Sequence, residues 1–250
     1  IRVRWRSGRE TFLPGLSANA LYDIEEPLEP PPAQGAALAT VSPSALPAWF
    51  EDVSGWIEHQ HAEVEFDDFQ RQPLLPRRLS QLGPGVAWHD VDGDGWEDLI
   101  VGASRGGTMG VFLNQKGKGF KRFDELPFNR PAGRDQTGIL GIGSTLFVGS
   151  SNYKDGTTNG GAARVYDFVR KAAGDILLGQ AMSVGPIAMA DIDGDGDLDL
   201  FVGSRGEAGR YPESGPGVLF KNEGGRFVVQ HRWPKLGLVS AAVFTDLDGD

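Results

Sequence analysis

Short strand-sized apolar runs separated by glycine-rich turns make up most of this chain, and no helical pattern is visible between them. Near the start, Ile1, Val3 and Trp5 alternate with arginines, and Ser7-Gly8 marks a turn. A second short strand is expected around 11–13 and a third around 20–24, which together make a small β unit. The stretch LEPPPAQGAALATVSPSALP that follows has neither period. It is rich in Pro, Ala and Ser and reads as a linker over 29–48.

From residue 49 onward a repeat sets the fold. One copy reads GVAWHDVDGDGWEDLIVGASRGGTMGVFLNQKGKGF from Gly85, and a second begins GILGIGSTLFVGSSNYKDG at Gly138. A third reads GPIAMADIDGDGDLDLFVGSRG from Gly185, and LVSAAVFTDLDGD opens a fourth at Leu238. The acidic runs of the first and third copies start about 100 residues apart, and those of the third and fourth copies about 55, so one period is roughly 50 residues. Within the first copy four strand-sized runs fall at 86–90, 98–102, 110–113 and 120–123. Four short strands per period is the unit of a β-propeller blade. The predicted class is therefore all-β, with blades of four-stranded antiparallel sheets in an incomplete ring and a small N-terminal β segment. A TIM barrel or a doubly wound sheet would need helices between strands. Residues 49–56 read as an outer strand, and 239–245 as the first strand of a further blade. The chain starts without Met and stops inside a motif, so it is expected to be an internal piece of a longer protein, with the propeller truncated at its C-terminus.

The acidic runs carry the chemistry. The first places Asp90, Asp92, Asp94 and Asp98 around Gly93 and Gly95, with Trp96 at position 7. The next places Asp191, Asp193, Asp195 and Asp199 around Gly194 and Gly196, with Asp197 at position 7. A third, cut short, holds Asp246, Asp248 and Asp250. Carboxylates at alternate positions of a glycine-bent loop can converge on one point. A hard cation such as Ca²⁺ takes about 6–8 oxygens at roughly 2.3–2.6 Å. The four carboxylates and the position-7 backbone carbonyl of each complete loop supply most of these, and without a cation they would repel. An EF-hand shares positions 1, 3 and 5 but needs a Glu at position 12 in a helix. Position 12 here is Val101 or Val202, in a strand-like run. The second copy offers Gly141-Ile142-Gly143-Ser144 where the loop would stand, so it is expected to be a blade without a metal. Asp155 and Asp167 read as scattered, solvated carboxylates. His59, His61 and Glu63 have the spacing of a transition-metal site, and an exposed strand gives the same alternation.

Composition narrows the function further. The net charge is −10 and the acidic excess is concentrated in the loops, which argues against a nucleic-acid partner. With no cysteine, disulfides and zinc–thiolate sites are excluded. No stretch is long and apolar enough for a membrane span. No nucleophile elbow surrounds Ser80 or Ser183, and the paired carboxylates are better explained as metal ligands than as glycosidase acids.

HDVDGDGWEDLIVG and ADIDGDGDLDLFVG resemble FG-GAP/VCBS-type repeats, the calcium-loop blades also seen in integrin α-chain propellers. Residues 1–28, read through IRVRWRSGRETFLPGLSANALYDIEEP, resemble the C-terminal end of an ASPIC/UnbV domain, which often accompanies such repeats in bacterial surface or secreted proteins. HAEVEFDDFQRQPLLPRRLSQLGPGVAW is similar to the lead-in of a second propeller. The resemblance implies a Ca²⁺-stabilised propeller outside the cytoplasm, either extracellular, at the cell surface or periplasmic. The expected function is non-enzymatic, a binding or scaffold module for a protein or glycan ligand. The rival is a propeller-based polysaccharide lyase or hydrolase with its active site in blades beyond this chain.

Overall fold

The computed structural model describes residues 1–17, 21–27, 50–157, 160–178 and 182–248. The expected linker at 29–48 lies outside the described residues. Contacts divide the chain into two units, Ile1–Glu51 and Asp52–Asp250.

In the first unit, β1 (Arg2–Arg4) pairs antiparallel with β2 (Glu10–Phe12). Arg2 binds Glu10 across the pair, and the Trp5 indole donates to Thr11 Oγ1 at 2.8 Å. The expected third strand does not form: 21–27 is irregular, and Leu21 is fully exposed. Side-chain bonds hold the neighbouring chain instead of a ladder: Tyr22 bonds Ser17 through its hydroxyl, and Ser7 and Arg9 reach Glu26 and the Pro27 carbonyl.

The second unit holds three four-stranded antiparallel sheets, each a simple meander, as the sequence predicts. The first contains β3 (Val86–His89), β4 (Asp98–Val101), β5 (Gly110–Asn114) and β6 (Phe120–Phe123). The second contains β7 (Asp135–Ile142), β8 (Thr145–Ser151), β9 (Gly161–Asp167) and β10 (Ala172–Leu178). The third contains β11 (Val184–Ala190), β12 (Asp199–Ser204), β13 (Gly217–Glu223) and β14 (Arg226–Trp233). Such sheets are propeller blades, and the described residues do not close them into a ring. The copy that lacks an acidic loop is β-structured like its neighbours, with a tight β7–β8 hairpin through Gly143.

Two apolar seams join the blades. Ile100 and Val111 of the first share one buried cluster with Phe128 and with Leu146 and Val148 of the second. Val184, Leu200 and Val202 of the third pack with Phe147 of the second. The first strands lie side by side, β3 on β7 and β7 on β11. Glycine makes that approach possible. A Cβ on Gly85 would stand 2.7 Å from the Thr137 carbonyl carbon, and one on Gly149 would stand 2.9 Å from Val184 Cγ1. The same relation recurs at Gly203, where a Cβ would meet Val239 at 2.8 Å, and Val239 N donates to Ser204 O at 2.9 Å. The 239–245 segment thus lies where a fourth blade's first strand would begin. It is not a paired strand, because no second strand flanks it among the described residues.

The expected outer strand at 49–56 also fails to form. Residue 49 lies outside the described residues, 51–53 are irregular, and Ser54–Trp56 is one 3₁₀ turn closed by Asp52, whose carboxylate accepts from Ser54 N and Oγ. Local Asx capping wins where no sheet edge is offered.

Residues 57–84 form a strap that touches all three blades. His61 Nε2 lies 3.0 Å from Ser104 Oγ on the first. Glu63 pairs with Lys154 of the second at 2.9 Å, and Arg71 binds the Tyr153 and Lys154 carbonyls. Gln72 exchanges hydrogen bonds with Tyr211 of the third, and Arg205 donates to Leu82 O at 2.7 Å. A single helical turn, α1 (Asp68–Arg71), is capped by Asp67. Asp68 is fully buried and accepts from Leu79 N, Ser80 N, Ser80 Oγ and the Tyr153 hydroxyl.

Candidate metal centre

The first acidic loop connects β3 to β4, and the second complete loop connects β11 to β12. Both turn through two left-handed glycines, at φ of 78° and 90° for Gly93 and Gly95, and 74° and 91° for Gly194 and Gly196. Other residues rarely adopt these angles, so the glycines are what let the chain coil around one point.

The position-1 carboxylate organises each loop. Asp90 accepts from Gly93 N, Asp94 N and Gly95 N, and Asp191 accepts from Gly194 N, Asp195 N and Gly196 N. The position-9 carboxylate ties the loop to its blade. Asp98 is buried and accepts from Val91 N at 3.0 Å and Asn114 N at 2.8 Å. Asp199 is buried and accepts from Ile192 N at 3.1 Å and Asn222 N at 2.8 Å. Oδ1 of Asp90 and of Asp191 takes two of these bonds, but their Oδ2 atoms and both oxygens of Asp98 and Asp199 take one each, which leaves lone pairs for an ion.

Among the described residues two carboxylate groups converge. Asp90, Asp92 and Asp98 each offer an oxygen within 4.8 Å of the others, and so do Asp191, Asp193 and Asp195. Oxygens held at about 2.3–2.6 Å by one calcium ion can stand up to roughly 5 Å apart, so the donor set fits that ion. Asp94 stands outside the first group and caps the turn by accepting from Trp96 N at 2.9 Å. Asp199 stands outside the second group, and Asp197 accepts from Gly224 N at 2.9 Å. The Trp96 ring packs against Gly117. In the cut-short run Asp248 N donates to Asp246 at 3.2 Å, neither residue joins a convergent group, and Asp250 lies outside the described residues.

Crowding shows in the electrostatics. Burial, then Asp94 and Asp90, raise Asp92 above the ordinary carboxylate range, against one backbone hydrogen bond. Burial, with Asp92 and Asp90, raises Asp98 despite the amides of Asn114 and Val91. A cation would relieve both effects. In the third blade Lys221 already lies on the carboxylates. It contacts Asp193 Oδ2 and stands 3.4 Å from Asp195 Oδ2, and these two hydrogen bonds raise its own pKa.

The histidine cluster does not converge. His59 sits edge-on to Phe112 at 5.7 Å with both ring nitrogens buried and unpartnered, while His61 goes to Ser104 and Glu63 to Lys154. Burial, then Arg122 and His61, hold His59 below its usual pKa, which favours a neutral packing ring. The sequence reading of Asp155 is corrected: it is half-buried and pairs with Arg134 at 2.6 Å. Asp167 accepts from Arg170 N and pairs with its side chain. Sequence reasoning missed Lys221, Asp68 and the strap. The signal for Lys221 was a lysine directly before Asn222, where the first blade has Leu113 before Asn114.

No family model matches the chain. It is similar to integrin alpha-3 of Mus musculus, 28% identical over 186 residues, or 61% of this chain. It is likewise similar to integrin alpha-3 of Cricetulus griseus, 27% identical over 192 residues, or 63% of this chain. The chain spans 18% of the length of each relative. A solved yeast assembly of dbp5 with nup159 and gle1 aligns over 60% of the chain at 10% identity and a TM-score of 0.32, and no argument rests on it. The chain is thus built of four-stranded propeller-type sheets and is similar in sequence to part of an integrin alpha chain.

Proposed function

We propose that this chain is a calcium-stabilised binding or scaffold module that works outside the cytoplasm, with a protein or glycan ligand and no catalytic role of its own. The observation that carries the reading is the pair of matched loops on two blades, each bringing three carboxylates to within 4.8 Å. Asp90, Asp92 and Asp98 would hold one ion, and Asp191, Asp193 and Asp195 the other. The ion supplies charge neutralisation and oxygen coordination. The chain's own residues do the rest: Asp90 and Asp191 coil the loops, and Asp98 and Asp199 anchor them to the second strand of each blade. The likeness to integrin alpha-3 favours a cell-surface or secreted setting, where calcium is abundant and weak sites suffice. Residues 1–28 we assign to the end of an ASPIC/UnbV-like domain, on the motif resemblance.

At about 2 mM calcium and a dissociation constant near 10⁻⁴ M, each site would stabilise the native state by about 2 kcal/mol. Melting temperature measured in calcium and in chelator tests the reading. A rise of several degrees with millimolar calcium supports it, and identical melting in both sinks it.

A further inference from the structure

The two loops share their scaffold down to single hydrogen bonds. Asn114 N and Asn222 N each donate to the position-9 aspartate, and their side-chain amides donate to the carbonyls of Glu97 and Leu198. Gly117 N and Gly225 N each donate back to those asparagine side chains. One position to the N-terminal side, the blades differ: the first has Leu113 and the third Lys221. The Lys221 ammonium reaches Asp193 and Asp195, two of the three carboxylates that converge in its loop. No lysine or arginine pairs with Asp90, Asp92, Asp94 or Asp98 among the salt bridges of the described residues.

We infer that Lys221 is a tethered cation that competes with the divalent ion at the third-blade loop, so that the two loops differ in affinity and in their need for metal. This rests on the reading that both loops hold calcium. A divalent ion entering the third-blade loop must displace the ammonium from Asp193 and Asp195, or share them with it. The ammonium repels the incoming ion and its side chain must move aside, and because it is exposed and screened the effect is expected to be up to about tenfold in affinity. The first-blade loop has Leu113 in that place and meets no such competitor. The third-blade loop is already partly neutralised and keeps its shape without metal, whereas the first-blade loop depends on the ion.

The test is calorimetric titration of the metal-stripped chain with calcium chloride. Asp92→Asn silences the first loop and isolates the third, and Asp193→Asn does the reverse. The isolated third loop is expected to bind up to about tenfold more weakly than the isolated first. Adding Lys221→Met to the Asp92→Asn chain should tighten binding by up to about tenfold, and Lys221→Arg should leave it weak. Tighter binding cannot come from misfolding, so this arm survives a modest loss of stability. Leu113→Lys, on the Asp193→Asn background, should weaken the first loop by a similar factor. Equal affinities at the two loops, unmoved by Lys221→Met, would overturn the inference and leave the calcium reading intact. Absence of calcium binding in every variant would overturn the calcium reading, and the inference with it.

Discussion

Replacing Gly85 with alanine should damage the propeller more than any comparable glycine change in an outer strand. The added Cβ would lie 2.7 Å from the Thr137 carbonyl carbon, closer still to its oxygen, and 3.3 Å from Ile139 Cγ1. Non-bonded carbon and oxygen rest at roughly 3.3–3.6 Å and the Thr137 oxygen is the nearest atom, so the first strands of two blades must part by about 2 Å. Overpacking of this kind costs about 1–3 kcal/mol. Two backbone hydrogen bonds are also at risk, Gly85 N to Gln136 O at 3.3 Å and Gly102 N to Gly85 O at 2.8 Å. At about 1 kcal/mol each they bring the expected loss to roughly 3–5 kcal/mol. For a unit of this size that is a fall in melting temperature of about 10 °C. Gly174, in β10, is the matched control: a Cβ there meets nothing within 4 Å and its φ is not left-handed. Alanine at that position should be neutral or stabilising by up to about 1 kcal/mol. Denaturant and thermal unfolding of the two variants give the comparison. If Gly85→Ala and Gly174→Ala unfold together, blades do not meet through their glycines as described.

Three further outcomes follow from the strap, the carboxylates and the last segment. Burial opposes ionisation of Asp68, but hydrogen bonds from Ser80, Leu79 and Tyr153 outweigh it and hold its pKa below the usual range. The stability this confers is therefore present above the ordinary aspartate pKa and is lost as pH falls through the lower folded value. Asp68→Asn should cost about 2–3 kcal/mol at pH 7 and flatten the acid limb of a stability–pH curve; an unchanged acid limb would contradict this. Asp155, lowered by Arg134 and Thr157 against its burial, should behave likewise, so Arg134→Met should cost most stability near neutral pH and progressively less as pH falls and Asp155 protonates; a cost that does not change with pH in denaturant unfolding would contradict this. Amide exchange should be faster across 239–248 than in any paired strand of the three blades, since the segment forms no ladder even though Val239 N itself is held by Ser204 O; protection equal to β12 would refute it.

The blades were legible because their signals are local. The short apolar runs VAWH, DLIV and GVFLN, bounded by glycine and the acidic loop, place β3, β4 and β5 within a residue or so of their observed ends. The acidic loops were legible for the same reason, since Asp90 and Asp191 bind amides three to five residues onward. The strap was not. Its partners lie far along the chain, Arg71 with Tyr153 and Gln72 with Tyr211, and no periodicity connects them. The strand expected at 49–56 failed because alternation alone does not supply a sheet edge to pair with. Which carboxylates converge was also hidden: Asp94 and Asp98 look equivalent in sequence, yet one caps a turn and the other is buried beside Asn114.

The central claim is that the matched loops bind calcium, and a calcium titration of the metal-stripped chain, followed by calorimetry, tests it most directly. The account predicts at least two sites, one lost with Asp92→Asn and another with Asp193→Asn, and a melting temperature that rises as they fill. No heat of binding and no shift in melting temperature at millimolar calcium would contradict it.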